Sequence, residues 1–325
     1  MSSGLTLLAG LIVLLAGGEL LVRGASALAR KLGVSPFVVG LTVVAFGTSA
    51  PELAVNVAAA LSGNGDITFG NVIGSNIANI GLIIGLTALL QPLSMHRSIV
   101  SREIPVMLAT TGLAIILTLD FLAGGATNRF SRIDGVILLV FFAGFLFFTT
   151  RAALKDRRKD RFLQETEQDQ KREKEMHWGP ATLLTLAGLS GVLLGSEWTV
   201  EGASGVAAAM GMSQAVIGLT IVALGTSLPE LTTSLFAVRK GQADLAIGNI
   251  VGSNIFNLLF ILGVSSSIRA VTVPGRGFTD LAAMAVFSLV LLPFAMSRQR
   301  LARHEGLLLL IGYLGYMAWR TLSTS

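Results

Sequence analysis

Residues 38–53 read VVGLTVVAFGTSAPEL, and residues 216–231 read VIGLTIVALGTSLPEL. The offset between these two stretches also places DITFGNVIGSNIAN (66–79) on DLAIGNIVGSNIFN (244–257). Over the fifty residues that contain both motifs no gap is needed, and nearly half of the positions are identical. Two unrelated apolar helices do not share so much, so the chain contains an internal repeat. Its best-matched positions include the polar ones.

The composition indicates a membrane protein. Of the 325 residues, 52% are hydrophobic and 13% are charged, whereas soluble domains carry about a quarter charged residues. Several windows exceed the roughly 18 apolar residues of a spanning helix. We therefore predict an all-α polytopic membrane protein with ten transmembrane helices, at 5–30, 36–62, 67–90, 103–123, 133–151, 179–209, 214–238, 245–268, 278–297 and 305–322.

Ten helices and one duplication give five helices in each repeat. Because five is odd, the second copy is expected to be inverted, an architecture typical of secondary transporters. The predicted domains are a first repeat at 1–151, a charged linker at 152–178 and an inverted second repeat at 179–325. If the linker is cytoplasmic, its side of the membrane holds 18 of the 24 Lys and Arg residues. This asymmetry predicts that both termini are outside.

The first motif predicts a broken helix lined with oxygen atoms. Pro51 lacks an N–H and should free the Gly47 carbonyl and kink the helix. Thr48 and Ser49 lie four and three residues before Glu52 and share its face. The second repeat should build the same cluster from Gly225, Thr226, Ser227, Pro229 and Glu230.

The second motif adds further oxygen donors. Ser75 and Asn79 are spaced i, i+4 and share a helix face, as do Ser253 and Asn257. The other motif asparagines, Asn71, Asn76, Asn249 and Asn254, fall on other faces, where we expect them to bond across helices or cap a break.

Two carboxylates within a membrane are costly and repel each other unless a cation lies between them. Calcium prefers six to eight oxygen ligands, and two glutamates with hydroxyl, amide and carbonyl oxygens supply that number. The same oxygens suit Na⁺. The alternative, an internal hydrogen-bonded pair of Glu52 and Glu230 with one of them protonated, leaves the duplicated hydroxyls unexplained.

The paired GTSxPE and GNxxGSNIxN motifs resemble the α-repeats of the Ca²⁺/cation antiporter superfamily, specifically its Na⁺/Ca²⁺ exchanger branch and its bacterial YrbG-like members. The resemblance spans all predicted helices and is most specific over 36–85 and 214–263. It implies that Ca²⁺ is bound by Glu52, Glu230 and the carbonyls of Thr48 and Thr226. It also implies two Na⁺ sites, one formed by Ser49, Ser75, Glu52 and the Ala45 carbonyl, the other by Ser227, Ser253, Glu230 and the Ala223 carbonyl.

The resemblance further implies that the first and sixth helices slide during transport. One departure concerns Asn79 and Asn257: many exchangers carry an aspartate at one of these positions. Amides keep an oxygen ligand but remove a charge, which bears on stoichiometry and pH dependence.

Other functions are disfavoured by the sequence. There is no cysteine, and the three histidines lie in separate predicted loops, so we expect no zinc, heme or other cofactor and no enzymatic activity. The expected partners are Ca²⁺ and Na⁺, with H⁺ in place of Na⁺ as the alternative, and the lipid bilayer. No nucleic acid or obligate protein partner is expected. A cation channel is a weaker alternative, because broken helices indicate a closed central site.

Glu19 and Glu197, on the first and sixth predicted helices, also match at the repeat offset. Their side chains are expected either to line a path for the cations or to form hydrogen bonds within the helix bundle.

Overall fold

The computed structural model describes residues 2–95, 99–119, 128–164, 176–212, 225–296 and 299–322, with backbone only for 154–164. The regular secondary structure of the described residues is helical apart from four two-residue strands. The first-half helices are α1 (Ser3–Leu32), α2 (Pro36–Val39), α3 (Ala45–Thr48), α4 (Ala50–Ser62), α5 (Gly65–Ala78), α6 (Gly85–Leu90), α7 (Ile104–Leu117) and α8 (Arg132–Gln164). The second-half helices are α9 (Trp178–Ala209), α10 (Leu228–Arg239), α11 (Ala243–Phe256), α12 (Leu262–Ile268), α13 (Gly277–Met296) and α14 (Arg303–Leu322).

Short π-helical segments join several of these helices. They lie at Gly40–Val44, Asn79–Ile84, Ile99–Glu103 and Asn257–Ile261. The strands are β1 (Leu93–Ser94), β2 (Arg129–Phe130), β3 (Val271–Thr272) and β4 (Arg300–Leu301). Strand β1 pairs antiparallel with β4, and β2 pairs antiparallel with β3.

Within the described residues, seven helical segments are long and apolar enough to cross a membrane. They are Ser3–Leu32, Gly65–Leu90, Ile99–Leu117, Arg132–Ala153, Trp178–Ala209, Ala243–Ile268 and Gly277–Met296, and the bent pair Pro36–Thr48 and Ala50–Ser62 makes an eighth if it is one span. Gly65–Leu90 and Ala243–Ile268 are 78% and 94% buried over their most apolar windows, against 28–44% for the other five. These two spans carry the GSN motifs, so both motifs are enclosed by protein.

Most observed boundaries lie within a few residues of the predicted ones, with two larger differences. The predicted helix 103–123 instead follows the π-segment at Ile99 and ends at Leu117. The helix expected to end at residue 151 continues to Gln164. Loss of hydropathy ends the span but not the helix, because the Ala, Leu, Lys and Arg residues that follow are strong helix formers. The first part of the predicted helix 214–238 lies outside the described residues, and α10 covers the rest.

The described chain divides into two compact units, each drawn from both halves of the sequence. Unit 1 comprises Met1–Thr48 and Ala143–Asn249, and unit 2 comprises Ser49–Phe142 and Ile250–Ser325. The predicted domain boundaries concern duplication rather than compactness and stay a prediction.

Unit 1 contains an unusually close helix pair, formed by α1 and α9. Glycine recurs every seventh residue on both helices, at Gly10, Gly17 and Gly24 and, at the repeat offset, at Gly188, Gly195 and Gly202. Each glycine lies against the backbone of the other helix, opposite Thr199, Val192, Thr185, Leu21, Leu14 and Leu7 respectively. These contacts run in opposite directions along the two helices, so α1 and α9 are antiparallel. Small residues allow this approach, and close packing is what holds helices together in lipid.

Candidate cation-binding site

The predicted helix breaks occur in both repeats at the serine of the GTS motif. Helix α3 ends at Thr48, α4 begins at Ala50, and the two helical segments meet at an angle of 46°. Ser49 has φ −84° and ψ 10°, and Ser227, which precedes α10, has φ −89° and ψ 1°. Each break is followed by a proline in the first helical turn, which supports the expected role of proline. The glutamate also falls in that first turn, where the helix dipole favours a negative charge.

In unit 2, Glu52 is buried among polar groups and has 2% of its surface exposed. The Nδ2 atom of Asn56 donates to the Glu52 backbone carbonyl at 2.6 Å and to Oδ1 of Asn71 at 2.6 Å. The hydroxyl of Ser49 donates to the Ser253 hydroxyl at 3.1 Å. The first motif thus brings its carboxylate into an interior that contains hydroxyl and amide oxygens.

In unit 1, Glu230 is 1% exposed and Asn249 organises its surroundings. The Nδ2 atom of Asn249 donates to the Glu230 backbone carbonyl at 3.5 Å and to the Ser234 hydroxyl at 3.3 Å. Its Oδ1 accepts a hydrogen bond from the Thr48 hydroxyl at 3.1 Å. The single proton of the Thr48 hydroxyl is engaged in this way, while the hydroxyl and carbonyl oxygens of Thr48 both keep lone pairs.

Two of the backbone carbonyls that were expected to bind a cation already have a hydrogen-bond donor nearby. The Gly225 carbonyl, expected to be freed by Pro229, accepts from the Ser196 hydroxyl at 3.1 Å. The Ala45 carbonyl lies 3.4 Å from the Thr48 hydroxyl, as the more distant of two acceptors that share its single proton. Ser196 was not identified from the sequence, since nothing in its local pattern distinguishes it from other helix serines.

The remaining predicted site residues fall into three groups. Ser75, Ser227 and Ser253 are buried, with 6%, 4% and 0% of their surfaces exposed, and Thr226 is half-buried. Asn79 and Asn257 are each 1% exposed and open the equivalent π-segments. Ala223 lies outside the described residues.

The four motif asparagines that were expected to bond across helices do so. Asn71 and Asn249 bond as described above, and the Nδ2 atoms of Asn76 and Asn254 reach each other's backbone carbonyls at 3.3 and 3.5 Å. Their amides are therefore part of the packing between helices.

Glu19 and Glu197, which match each other at the repeat offset, lie in more exposed surroundings. Glu19 forms an ion pair with Arg23 at 2.7 Å and a longer one with Lys240 at 3.5 Å. Glu197 is exposed on α9. Burial lowers the pKa of Lys240, while the Glu19 carboxylate acts to raise it. For Glu19, bonding within the protein is thus the alternative that the structure favours.

The sequence and the fold are similar to known proteins over nearly their whole length. The family model described as "Sodium/calcium exchanger protein" matches residues 2–151 and 180–322. Putative antiporter CaxA of Alkalimonas amylolytica is 38% identical over 95% of this chain and 95% of its own. Inner membrane protein YrbG of Escherichia coli (strain K12) is 34% identical over 96% of this chain and 94% of its own. A solved structure of the sodium-calcium exchanger NCX_Mj, soaked with Na⁺ and Ca²⁺, matches with a TM-score of 0.83 and 34% identity, covering 98% of this chain and 99% of that one.

Proposed function

Because the chain belongs to the sodium/calcium exchanger protein family, we propose that it is a secondary antiporter that exchanges Ca²⁺ for Na⁺ across a membrane by alternating access. The observation that carries the proposal is the burial of Glu52 and Glu230, each in the first turn after a helix break. The related NCX_Mj structure is described as showing ion exchange and binding-site occlusion, which supports the same activity for this chain.

The proposed cation ligands are the two glutamates and the neutral oxygens of both motifs. Carboxylates in a membrane interior are costly, and a bound Ca²⁺ offsets that cost. Ca²⁺ takes six to eight oxygen ligands, which here would be drawn from Glu52, Glu230, Thr48, Thr226, Ser49, Ser227, Ser75, Ser253, Asn79, Asn257, Ala45 and Ala223. Of these residues, only the glutamates are charged.

Na⁺ is the proposed counter-ion because the other ligands are neutral oxygens. The buried Ser49 and Ser253 hydroxyls lie 3.1 Å apart, and hydroxyl and carbonyl oxygens bind Na⁺ without a change of protonation. With amides at positions 79 and 257, the glutamates are the only titratable groups in the proposed ligand set. Coupling to H⁺ would therefore depend on Glu52 and Glu230 alone.

The proposed architecture is ten transmembrane helices in two inverted repeats, with a cytoplasmic linker and both termini outside, in a prokaryotic cell membrane. The order of elements supports the duplication: α5, its π-segment, α6 and β1 recur at the repeat offset, to within a residue or two, as α11, its π-segment, α12 and β3. Strand pairing supports a two-fold relation, since β1 pairs with β4 while its equivalent β3 pairs with β2. The close pair α1 and α9 is proposed to slide as one body.

The test is uptake of isotope-labelled Ca²⁺ into proteoliposomes under an imposed Na⁺ gradient and, separately, under a pH gradient. We expect Na⁺-driven uptake that is abolished by Glu52→Gln and by Glu230→Gln, each in protein that melts as the wild type does. Uptake driven by the pH gradient alone would replace Na⁺ with H⁺ in the proposal. Flux that ignores both gradients would indicate a channel, and normal transport by both variants would show that the ligand assignment is wrong.

A further inference from the structure

Four asparagines of unit 2 form a reciprocal network between the two repeats. Asn79 Nδ2 donates to Asn254 Oδ1 at 2.9 Å, and Asn257 Nδ2 donates to Asn76 Oδ1 at 3.1 Å. All four side chains are 1% exposed. Asn79 and Asn257 are the proposed ligand asparagines, and Asn76 and Asn254 are the asparagines of the two GSN motifs. Each ligand asparagine is thus held by the GSN asparagine of the other repeat.

The network has a fixed direction because each GSN amide is anchored by atoms that only accept hydrogen bonds. Nδ2 of Asn76 faces the Asn254 backbone carbonyl at 3.3 Å and the Met284 sulfur at 3.8 Å. Nδ2 of Asn254 faces the Asn76 backbone carbonyl at 3.5 Å and the Met107 sulfur at 3.6 Å. A carbonyl oxygen has no proton to give, and a thioether sulfur is a weak acceptor. The nitrogen of each GSN amide must therefore point to these atoms.

The orientation of the Asn76 and Asn254 amides determines the orientation of the Asn79 and Asn257 amides. Since the nitrogens of Asn76 and Asn254 are committed, their oxygens face the ligand asparagines and must receive an N–H. The oxygens of Asn79 and Asn257 are then turned away from the network. Among the described residues, no hydrogen-bond donor reaches either of these buried oxygens. A buried acceptor without a donor is unfavourable, and a cation removes that penalty by taking the oxygen as a ligand.

We propose that Asn76 and Asn254 are positioning residues, which hold the amide oxygens of Asn257 and Asn79, rather than the amide nitrogens, toward the transported cation. This inference rests on the proposed function. An amide that is free to turn also presents its nitrogen, and an N–H dipole repels a cation. Partners of a metal ligand typically change cation affinity or activity by about 10–100-fold when they are removed.

The experiment compares Asn76→Ala in two backgrounds. In the wild type, we expect the substitution to raise the half-saturating Ca²⁺ concentration for uptake by about tenfold or more. In an Asn257→Asp background, the same substitution should cause no loss, because both carboxylate oxygens are acceptors and orientation no longer matters. Removing Asn76 Oδ1 there even relieves contact between two oxygens. The Ca²⁺-dependent rise in melting temperature of the purified protein should follow the same pattern.

Asn254→Ala with Asn79→Asp is the matched second pair, and crossing the pairs is the control: Asn76→Ala should keep its full effect in an Asn79→Asp background. A merely structural role predicts the same loss in every background, and that result would overturn the inference, as would a wild-type affinity for Asn76→Ala. If an alanine variant does not fold without cation, leucine at the same position, which fills the volume but cannot orient the amide, takes its place. Glu52→Gln distinguishes an error in the proposed function from an error in the positioning role. If Glu52→Gln leaves Ca²⁺ uptake unchanged, the proposed function is wrong. If Glu52→Gln abolishes uptake while Asn76→Ala keeps the wild-type Ca²⁺ affinity, only the positioning role is contradicted.

Discussion

Replacing Gly17 by alanine adds one methyl group to the contact between α1 and α9. A Cβ atom at this position would lie 2.5 Å from the backbone nitrogen of Val192, 2.6 Å from the carbonyl carbon of Gly191 and 3.0 Å from the carbonyl oxygen of Gly188. These neighbours are backbone atoms, which cannot move aside by changing rotamer. The helices must therefore separate or turn.

The size of the effect follows from that geometry. The nearest distance is about 0.9 Å short of an ordinary contact of 3.4 Å, so the helices must part by nearly 1 Å. A gap of that size forfeits about a quarter to a half of the dispersion energy at each contact, and overpacking of this kind costs about 1–3 kcal/mol. We expect Gly17→Ala to lower the free energy of unfolding by that amount. Gly195→Ala opens the same contact, so the double variant should cost less than the sum of the two.

Denaturant titration of the purified protein in detergent micelles, followed by circular dichroism, measures this loss. Gly144→Ala is the control, since it lies in the interior of helix α8, where no described atom of another helix lies within 4 Å of the added methyl group. It should leave the unfolding free energy unchanged or slightly raised, because alanine is the better helix former. An unfolding free energy of Gly17→Ala equal to that of the wild type would refute the close backbone contact.

Asn56→Ala should lower stability by about 1–3 kcal/mol in thermal melts, because it removes donors to Asn71 and to the Glu52 carbonyl; Asn56→Ser should cost less, since serine is the residue that nature places at the equivalent position 234. A larger loss for serine than for alanine would contradict this. Glu19→Gln should change the Na⁺-driven Ca²⁺ uptake rate by less than about fivefold, because exposed ion pairs contribute about 0–1 kcal/mol. If Glu19→Gln abolishes uptake as Glu52→Gln is expected to, Glu19 takes part in transport.

Features that depend on local chemistry could be predicted from the sequence. Proline removes an N–H that a helix interior needs, so breaks could be predicted near Pro51 and Pro229 and are found at Ser49 and Ser227. The rule is not universal, because Pro293 lies inside the continuous helix α13. Hydropathy locates spans because lipid imposes it on every exposed helix face. The regular spacing of Gly10, Gly17 and Gly24, which recurs in the second repeat, is visible in the sequence, but only the structure identifies the helix that packs against it.

Features that depend on contacts between residues distant in sequence could not be predicted from local motifs. An asparagine carries both a donor and an acceptor, and only the backbone carbonyl that faces Asn76 or Asn254 decides which end points where. Likewise, the Gly225 carbonyl was expected to be available for a cation, but Ser196 lies on a helix distant in sequence and reaches it. Such partners are fixed by packing, which a local motif does not encode.

Comparison of the two repeats shows what the duplication preserves. The backbone carbonyl of each glutamate receives an amide N–H in both, but the donor differs: Asn56 on the same helix serves Glu52, and Asn249 on the neighbouring helix serves Glu230. The difference follows from one position, because Ser234 has replaced the equivalent of Asn56 and lacks an amide to reach back. Asn249 supplies the donor instead, and its oxygen is left to accept from Thr48. The requirement that persists is therefore a satisfied carbonyl beside the carboxylate, and the residues that meet it are free to diverge. The two halves therefore hold equivalent glutamates through unequal hydrogen-bond partners.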